Sequence, residues 1–394
     1  MTRAQGLDQI FVTLTHALTA HLPVALQPLA SALLGVVGII VTFPALFAIT
    51  VLLERKGLGR MQNRYGPNRV GPWGILQPVA DGIKAIIKED VVPQSSDHMV
   101  HLLAPVLILV TAFMNYAVIP VGRGMILADL NAGVLFFFAI SSMVELGVFM
   151  AGWASRSKYS LFGAMRAIAQ MISYEVPMLL AAMATVMAAG TLSTVKIVEM
   201  QAVYTGQIPH WFVLTPWGFT GFCLFMVAAT AESNRSPFDL PEGESEIVAG
   251  YFIEYSGFKF AMFFIGEYLG MMATSAMAIT LFLGGWSAPL KCLQWFPSYG
   301  WFFLKLLVLI CCFIWVRGTL PRLRMDQLMN FSWKFLLPMT LLNIAATGLW
   351  RFLPEGVVRW VICGALVVVP YVALGRARVW QGRAVAARRY RYAE

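Results

Sequence analysis

Residues 231–250, AESNRSPFDLPEGESEIVAG, separate two long apolar runs and carry a high density of negative charge. The stretch has one basic residue, Arg235, and five of the twenty acidic residues of the chain: Glu232, Asp239, Glu242, Glu244 and Glu246. The 394-residue sequence is otherwise mostly apolar, and its formal net charge is +9. Carboxylates this close together repel one another, so we expect them to titrate together, with some of them protonated near neutral pH.

Apolar runs recur along the whole chain. Only 12% of the residues are charged and the mean hydropathy is +0.71, values that do not suit a soluble globule of this size. A helix needs about 20 predominantly apolar residues to cross a bilayer. Nine runs come near or above this length, at 30–53, 99–119, 130–153, 171–190, 212–231, 258–284, 300–316, 335–350 and 356–374. The sequence therefore predicts an all-α polytopic membrane protein with about nine transmembrane helices.

The loop after the first span contains a different kind of helix. It opens with ERKGLGRMQNRYGPNRVGPWG (54–74), which is too rich in Gly and Pro to form one continuous helix. In ILQPVADGIKAIIKED (75–90), aliphatic residues recur at helical spacing, whereas Asp81, Lys84 and Lys88 lie off that face. This pattern predicts an amphipathic helix that lies in the membrane interface or against a partner.

The basic residues are distributed unevenly between the two sides of the predicted bundle. With nine spans, one side holds 21 of the 29 Lys and Arg residues, in the segments 54–98, 154–170, 232–257 and 317–334 and the tail after 375. Because basic residues accumulate on the cytoplasmic side, we predict a periplasmic N-terminus and a cytoplasmic C-terminus in a bacterial inner membrane. This bias explains the net charge without any nucleic-acid partner.

Carboxylates also occur within the predicted spans. Glu145, Glu175 and Glu267 interrupt three apolar runs, and Glu232 ends a fourth. A carboxylate costs at least a few kcal/mol in hydrocarbon, so these side chains should face the bundle interior or a water-filled cavity. At about 1.5 Å per residue, their predicted depths are roughly 0 Å for Glu232, 6 Å for Glu175, 12 Å for Glu145 and 14 Å for Glu267. Four such groups favour a proton half-channel, although hydrogen bonds to Ser, Tyr or backbone would explain any one of them.

Pro177 lies two residues after Glu175, in the motif SYEVP. A proline within a helix lacks an amide donor and crowds the carbonyl four residues earlier, here Ser173. The residue therefore indicates either a loosened turn beside a protonatable group or a proline tolerated near a helix start.

Sequence motifs for cofactors are not found. The five cysteines form no C-x-x-C pair, and the chain has no Gly-rich phosphate-binding or dinucleotide-binding loop. We therefore expect neither a redox cofactor nor a metal on this chain.

Four long motifs resemble one membrane subunit family of respiratory complex I, the proton-translocating NADH–quinone oxidoreductase. They are ERKGLGRMQNRYGPNRVGPWG, GWASRSKYSLFGAMRAIAQMISYEVP, AESNRSPFDLPEGESEIVAGYFIEY and VRGTLPRLRMDQLMNFSWKFLLP, in this order. The bacterial members of this family are called the H subunit and the mitochondrial members chain 1. The resemblance extends from about residue 30 to 350.

The resemblance implies a protein that joins the membrane arm to the peripheral arm, forms much of the passage and chamber for quinone, and begins an acidic chain for protons. The acidic chain would contain Glu175, Glu232 and Glu267. The carboxylates between it and the chamber would be Asp81, Asp239, Glu242, Glu244, Glu246 and Glu254. The chamber would be lined or braced by Arg55, Arg64, Arg166, Arg235 and Arg317, with Phe264 flanking the quinone path. FMN and iron–sulfur clusters would lie on the other subunits of the complex.

Two features depart from the family pattern. Many relatives have an uncharged residue where this chain has Glu145, so its expected role rests on its depth. The family usually has eight spans, so we expect residues 1–355 to form the quinone and proton domain. Residues 356–394 would add a ninth span and a basic tail, for which the resemblance implies no role.

Two other functions remain open from the sequence. The residues also fit the equivalent subunit of a membrane-bound hydrogenase, which need not bind quinone, and a stand-alone proton-coupled transporter. A transporter would purify alone, whereas a subunit of either complex would bring many partners. For the acidic stretch itself, a charge-sensing switch and a docking surface for a basic partner are both consistent with the residues.

Overall fold

The computed structural model describes residues 8–239, 250–354 and 356–385. These residues fold almost entirely into α-helices: α1 (Ile10–Thr19), α2 (Gln27–Met61), α3 (Gln77–Ile87), α4 (His98–Asn115), α5 (Gly133–Ser141), α6 (Met143–Ala154), α7 (Lys158–Ala189), α8 (Thr194–Gln201), α9 (Pro216–Glu232), α10 (Gly257–Phe282), α11 (Ser298–Thr319), α12 (Met325–Phe331), α13 (Leu337–Phe352) and α14 (Val357–Val385). A π-helical segment, Ser332–Leu336, joins α12 to α13. One short antiparallel pair, β1 (Tyr204–Thr205) with β2 (Ile208–Pro209), is present in a loop.

The all-α membrane fold is confirmed. Within the described residues, seven helical segments are long and apolar enough to cross a bilayer: Gln27–Met61, His98–Val118, Gly133–Ala154, Lys158–Ala189, Gly257–Phe282, Ser298–Thr319 and Met325–Phe352. The predicted fifth span corresponds to α9, which has only 17 residues. At about 1.5 Å per residue it is roughly 26 Å long, slightly less than a typical hydrocarbon layer. The predicted ninth span corresponds to the apolar part of α14, Val357–Ala373.

Two helices extend well beyond their predicted limits. α2 continues past residue 53 to Met61 and ends before Asn63, whose φ of 54° is left-handed. α7 begins at Lys158, two residues after the left-handed Arg156 and long before residue 171. Hydropathy locates only the apolar part of a helix, whereas backbone hydrogen bonding continues through polar residues until the chain turns.

The amphipathic helix predicted after the first span is present as α3. None of its residues is buried, and Ile83, Ile86 and Ile87 are between 52% and 78% exposed. α3 packs beside α2 and α10 at the edge of the bundle. Its aliphatic face is therefore available to lipid or to a partner.

α10 occupies the centre of the bundle. It contacts α2, α4, α9 and α11, and every residue from Met271 to Phe282 is buried. Close packing depends on small residues, because a Cβ added at Gly147 of α6 or Gly266 of α10 would lie only 2.5 or 2.6 Å from the Ile108 side chain of α4. Residues 233–256, here called the acidic loop, join α9 to α10 at one end of the bundle.

A lysine fixes the opposite end of α10. The Lys305 ammonium, on α11, donates to the carbonyl oxygens of Leu283, Gly285 and Ser287 at 2.7–2.8 Å. It also lies 4.2 Å from the Trp211 ring centroid, a cation–π contact. The last carbonyl groups of a helix lack internal partners and carry partial negative charge, so this ammonium caps the region where α10 ends.

α14 packs against α13 and α9. Trp350 and Trp360 meet edge to face at 5.3 Å, and the thiol of the buried Cys363 contacts the Ala346 carbonyl at 3.6 Å. The exposed residues Val358, Val361 and Val369 lie on the outer side of α14. These contacts fit a membrane helix that lies at the edge of the bundle.

We expect the tail after Gly375 to lie in the cytoplasm, because six arginines occur in the final twenty residues behind the apolar part of α14. Alkaline phosphatase fused to the C-terminus should therefore be inactive, since this enzyme folds only outside the inner membrane. A fusion after Ala202, in the predicted outer loop, should be active and serves as the control. An active C-terminal fusion would mean that α14 does not cross the membrane.

Candidate functional site

Glu54, near the end of α2, is the centre of an ion-pair cluster at the acidic-loop end of the bundle. Its side chain is 7% exposed and accepts hydrogen bonds from Arg317 of α11 and from Arg235 of the acidic loop, the latter at 3.4 Å. The Tyr268 hydroxyl of α10 donates to the other carboxylate oxygen at 2.7 Å. Four segments that are distant in sequence therefore converge on one carboxylate.

Arg235 is held on two sides in this cluster. Its guanidinium lies 3.7 Å from the Tyr268 ring centroid as well as beside Glu54. Burial opposes the charge of Arg235, but the Tyr268 oxygen and the Glu54 and Glu267 carboxylates raise the pKa of the guanidinium above its ordinary value. The Glu54 cluster, defined as Glu54, Arg235, Tyr268 and Arg317, therefore carries one more positive than negative charge.

Glu54 is not among the residues predicted from the sequence, because the apolar run of the first span ends at residue 53. Its signal was its place as the first residue of the motif ERKGLGRMQ, at the end of an apolar run and beside two bases. Such a carboxylate is expected to find a basic partner, since an unpaired charge at the edge of hydrocarbon is costly. The structure supplies two arginines that were predicted for the quinone chamber, Arg235 and Arg317.

Three of the predicted intramembrane carboxylates form a second group, here called the glutamate cluster. Glu145 lies within hydrogen-bonding reach of Glu175, and Glu232 is a close neighbour of both. Two adjacent serines at the break between α5 and α6 bind this group. Ser141 donates to Glu232 at 2.7 Å, and Ser142 donates to Glu175. The cluster thus brings three carboxyl groups and two hydroxyl groups together inside the bundle.

Glu267 joins this group through a cavity. A partly open cavity of about 50 Å³ is lined by both Glu232 and Glu267, with Asn115, Ser141, Ser233, Asn234, Tyr251 and Thr274 as further polar residues. Tyr251 donates to Glu267 at 3.0 Å. A water molecule needs roughly 10–15 Å³ of such space and two to four polar partners, so the cavity can hold a short water chain.

Glu145, Glu175 and Glu232 lie near one another in the structure. The sequence predicts depths that span about 12 Å for these three residues, and this order stays a prediction. α7 starts much earlier than its apolar part, and the helical segment containing Glu145 is interrupted at Ser142. Glu145, whose expected role rested mainly on depth, is an electrostatic neighbour of Glu175 and Glu232.

The beginning of the acidic loop is held by α7. The buried Gln170 amide donates to the carbonyl oxygens of Ala231 and Phe238 at 2.6 and 2.7 Å. At the other end of the loop, the Ser160 hydroxyl donates to the Tyr251 carbonyl at 2.9 Å. A Cβ at Gly163 would meet the backbone of Gly250 at 2.7 Å, so only glycine permits this approach.

The remaining predicted loop carboxylates divide into two sets. Asp239 and Glu254 are partly buried near the two ends of the acidic loop. Glu242, Glu244 and Glu246 lie outside the described residues.

The other residues predicted for the quinone site lie at several different places in the bundle. Phe264 lies one turn before Tyr268, with ring centroids 5.8 Å apart, and so extends the Glu54 cluster along α10. Arg55 pairs with Asp81 of α3 at 2.5 Å, which ties the amphipathic helix to α2. Arg64 is exposed and bonds Gln62 at 2.8 Å, and Arg166 is partly buried on α7.

The two clusters are adjacent through neighbouring residues of α10. Tyr268 faces Glu54, whereas Glu267 faces the cavity. Arg235 interacts with Tyr268, Glu54 and Glu267. A change of charge at the Glu54 cluster therefore changes the electrostatic potential at Glu267.

These features define a polytopic helical membrane protein with a protonatable carboxylate cluster beside a cationic cluster at one end of the bundle. The chain belongs to the NADH dehydrogenase family, whose profile matches residues 34–348. The family resemblance inferred from the four sequence motifs is thereby confirmed. α14 lies beyond the matched range.

Relatives of high identity are named as the H subunit of NADH-quinone oxidoreductase. The protein from Syntrophotalea carbinolica is 49% identical over 324 residues, which cover 80% of this chain and 93% of the relative. The protein from Paraburkholderia phymatum is 45% identical over 83% of this chain and 93% of its own length. The protein from Rickettsia typhi is 46% identical, with 80% and 92% covered.

Replacing Glu54 by Gln should lower the stability of the protein by roughly 3 kcal/mol, because the largely buried Arg235 and the partly exposed Arg317 lose their counter-charge. The measurement is the temperature at which the chain leaves the soluble fraction after heating in detergent. Asp90→Asn is the matched control, because Asp90 pairs with Lys259 at 2.7 Å but is 45% exposed. A surface pair of this kind contributes at most about 1 kcal/mol. Equal midpoints for the two variants would contradict a central role for Glu54.

Proposed function

We propose that this chain is the membrane subunit of an NADH–quinone oxidoreductase that binds quinone beside the peripheral arm and passes protons through its buried glutamates. The proposal is carried by one observation: the glutamate cluster, the cavity and the Glu54 cluster are contiguous at the acidic-loop end of the bundle. The identity with relatives named as NADH-quinone oxidoreductase proteins supports this function over that of a hydrogenase subunit or a transporter.

The Glu54 cluster supplies the quinone side of this proposal. A row of aromatic rings runs along α10, formed by Phe264, Tyr268 and the exposed Phe260. The ring centroids of Phe260 and Phe264 are 5.7 Å apart, and those of Phe264 and Tyr268 are 5.8 Å apart. A row of rings beside Arg235 and Arg317 suits a flat apolar head group with polar oxygens. Asp81 and Arg55 hold α3 against this region, and the aliphatic face of α3 would guide quinone from the lipid. Arg64 and Arg166 would brace the chamber, together with partner subunits.

The glutamates supply the proton side. Reduced quinone takes up protons, which changes the charge next to Arg235 and Tyr268. Because Arg235 also interacts with Glu267, this change alters the energy of a proton on Glu267. Protons would then move through the cavity to Glu232 and on to Glu175 and Glu145. The loop residues Asp239, Glu242, Glu244, Glu246 and Glu254 would deliver protons or sense the charge.

The proposal assigns the electron chemistry to partners. FMN and iron–sulfur clusters would lie on peripheral-arm subunits, which bind at the acidic-loop end, and other membrane-arm subunits would continue the proton path. The acidic-loop end would face the cytoplasm, with the N-terminus in the periplasm. Residues 1–355 would perform the quinone and proton functions, and residues 356–394 would form a separate membrane-anchored extension.

Glu175→Gln should abolish NADH-to-quinone turnover in assembled complexes. Gln keeps the volume and the hydrogen bond from Ser142 but cannot release a proton. NADH oxidation by a water-soluble artificial acceptor should be unchanged, because it bypasses the membrane arm. The control is Glu199→Gln, an exposed glutamate of α8. Coupled turnover near the wild-type rate would show that Glu175 is structural.

Phe264→Ala should raise the apparent KM for quinone roughly tenfold, because loss of an aromatic contact costs at least about 1.4 kcal/mol, the equivalent of a factor of ten. The maximal rate with the artificial acceptor should not change. Phe219→Ala is the control, since this ring is 59% exposed on α9. If the two activities of Phe264→Ala fall together, the defect lies in assembly and the quinone role is refuted.

A further inference from the structure

The turn of α7 that carries Glu175 contains an unusual hydrogen bond. Pro177 has no amide hydrogen, so the Ser173 carbonyl cannot receive the bond that an α-helix would provide four residues later. Ser173 is only 5% exposed, and a buried carbonyl without a donor is costly. The Ser332 hydroxyl, from the π-helical segment, donates to this carbonyl at 2.5 Å.

The neighbouring contacts strengthen this link between helices. The Tyr174 hydroxyl donates to the Leu328 carbonyl of α12 at 2.9 Å, and both residues are fully buried. The Trp333 indole lies 3.4 Å from the Ser173 hydroxyl. Two consecutive residues of α7, Ser173 and Tyr174, are therefore held by α12 and the π-helical segment, and the next residue is Glu175.

The π-helical geometry has its own local cause. Pro338 in the first turn of α13 also lacks an amide, and its ring crowds the carbonyl four residues earlier. The Leu337 amide instead donates to the Ser332 carbonyl, five residues back. The wider turn places Ser332, which is 1% exposed, against α7.

The stretch of chain that leads to Ser332 begins at Arg317, in the Glu54 cluster. α11 ends at Thr319, two residues after Arg317, and the chain then runs directly to α12. On the way, the Leu323 amide donates to the Pro237 carbonyl of the acidic loop at 3.0 Å. A continuous path of covalent bonds and buried hydrogen bonds thus joins Arg317, the acidic loop and the Glu175 turn.

We propose that Ser332 is a positioning residue for Glu175, and that its hydroxyl transmits the placement of the Arg317–Ser332 segment to the glutamate cluster. The inference rests on the proposed function, since it assumes that Glu175 carries protons. Ser332 substitutes for the amide missing at Pro177 and thereby keeps Glu175 at its contacts with Ser142 and Glu145.

The test uses four versions of the assembled complex in native membranes: wild type, Ser332→Ala, Pro177→Ala and the double variant. Ser332→Ala should lower NADH-to-quinone turnover per assembled complex roughly tenfold, the scale expected when a buried carbonyl loses its donor. It should also shift the pH profile of this turnover, because Glu175 would no longer be held against its neighbours. Turnover with the artificial acceptor should be unchanged.

Pro177→Ala gives the decisive comparison, because it restores the amide at position 177. Ser173 then has a helical donor, so adding Ser332→Ala in this background should change neither the turnover nor the pH profile. Thr340→Val is the matched control: the hydroxyl of Thr340 is equally buried on α13 but bonds only Leu337 of its own helix.

Three results would overturn the inference. The first is an unchanged rate and pH profile in Ser332→Ala. The second is an equal loss whether Pro177 is present or replaced by alanine, which would assign Ser332 to packing alone. The third applies if Ser332→Ala fails to assemble: the double variant should then assemble, and its failure would refute the role of the Ser173 carbonyl. If Glu175→Gln abolishes turnover while Ser332→Ala does not, only this inference fails and the proposed function stands.

Discussion

The cost of placing a carboxylate in hydrocarbon governs how this bundle is assembled. Each of the buried glutamates described above is met by a hydroxyl, a guanidinium or another carboxyl group from a different helix or from the acidic loop. Every such contact joins two segments of the chain. The carboxylates that would destabilise the fold most if they were unpaired are therefore the points at which the helices converge. The contacts that hold the glutamates of the candidate site are therefore also the contacts that join the helices.

α7 connects most of these contacts. Within a short length it offers Ser160 and Gly163 to the end of the acidic loop, Gln170 to its beginning, and Glu175 to the glutamate cluster. A helix holds residues that are several turns apart at fixed distances, so both ends of the loop keep a constant relation to Glu175. The acidic loop carries the charged side chains, and α7 fixes the positions of the two ends of the loop.

The membrane fold followed from hydropathy and the amphipathic helix from periodicity, because those signals lie within a single segment of sequence. Other features did not follow. Glu54 was not predicted because it lies at the limit of an apolar run, and the proximity of Glu145 to Glu175 involves two different helices. The bond from Ser332 to Ser173 joins residues 159 positions apart. Pro177 predicts that the Ser173 carbonyl lacks its helical donor. The sequence pattern does not identify which distant hydroxyl replaces that donor.

Lys305 has a mechanical consequence for α10. Its three carbonyl contacts, with Leu283, Gly285 and Ser287, immobilise the end of the helix that lies away from the acidic loop. If α10 tilts about this end, the displacement of a residue grows with its distance from the end. Glu267 and Tyr268 lie on the order of 24 Å from Leu283, at about 1.5 Å per residue. A tilt of about 5° about that end would therefore move these side chains by about 2 Å, whereas the carbonyl groups bound by Lys305 would stay in place.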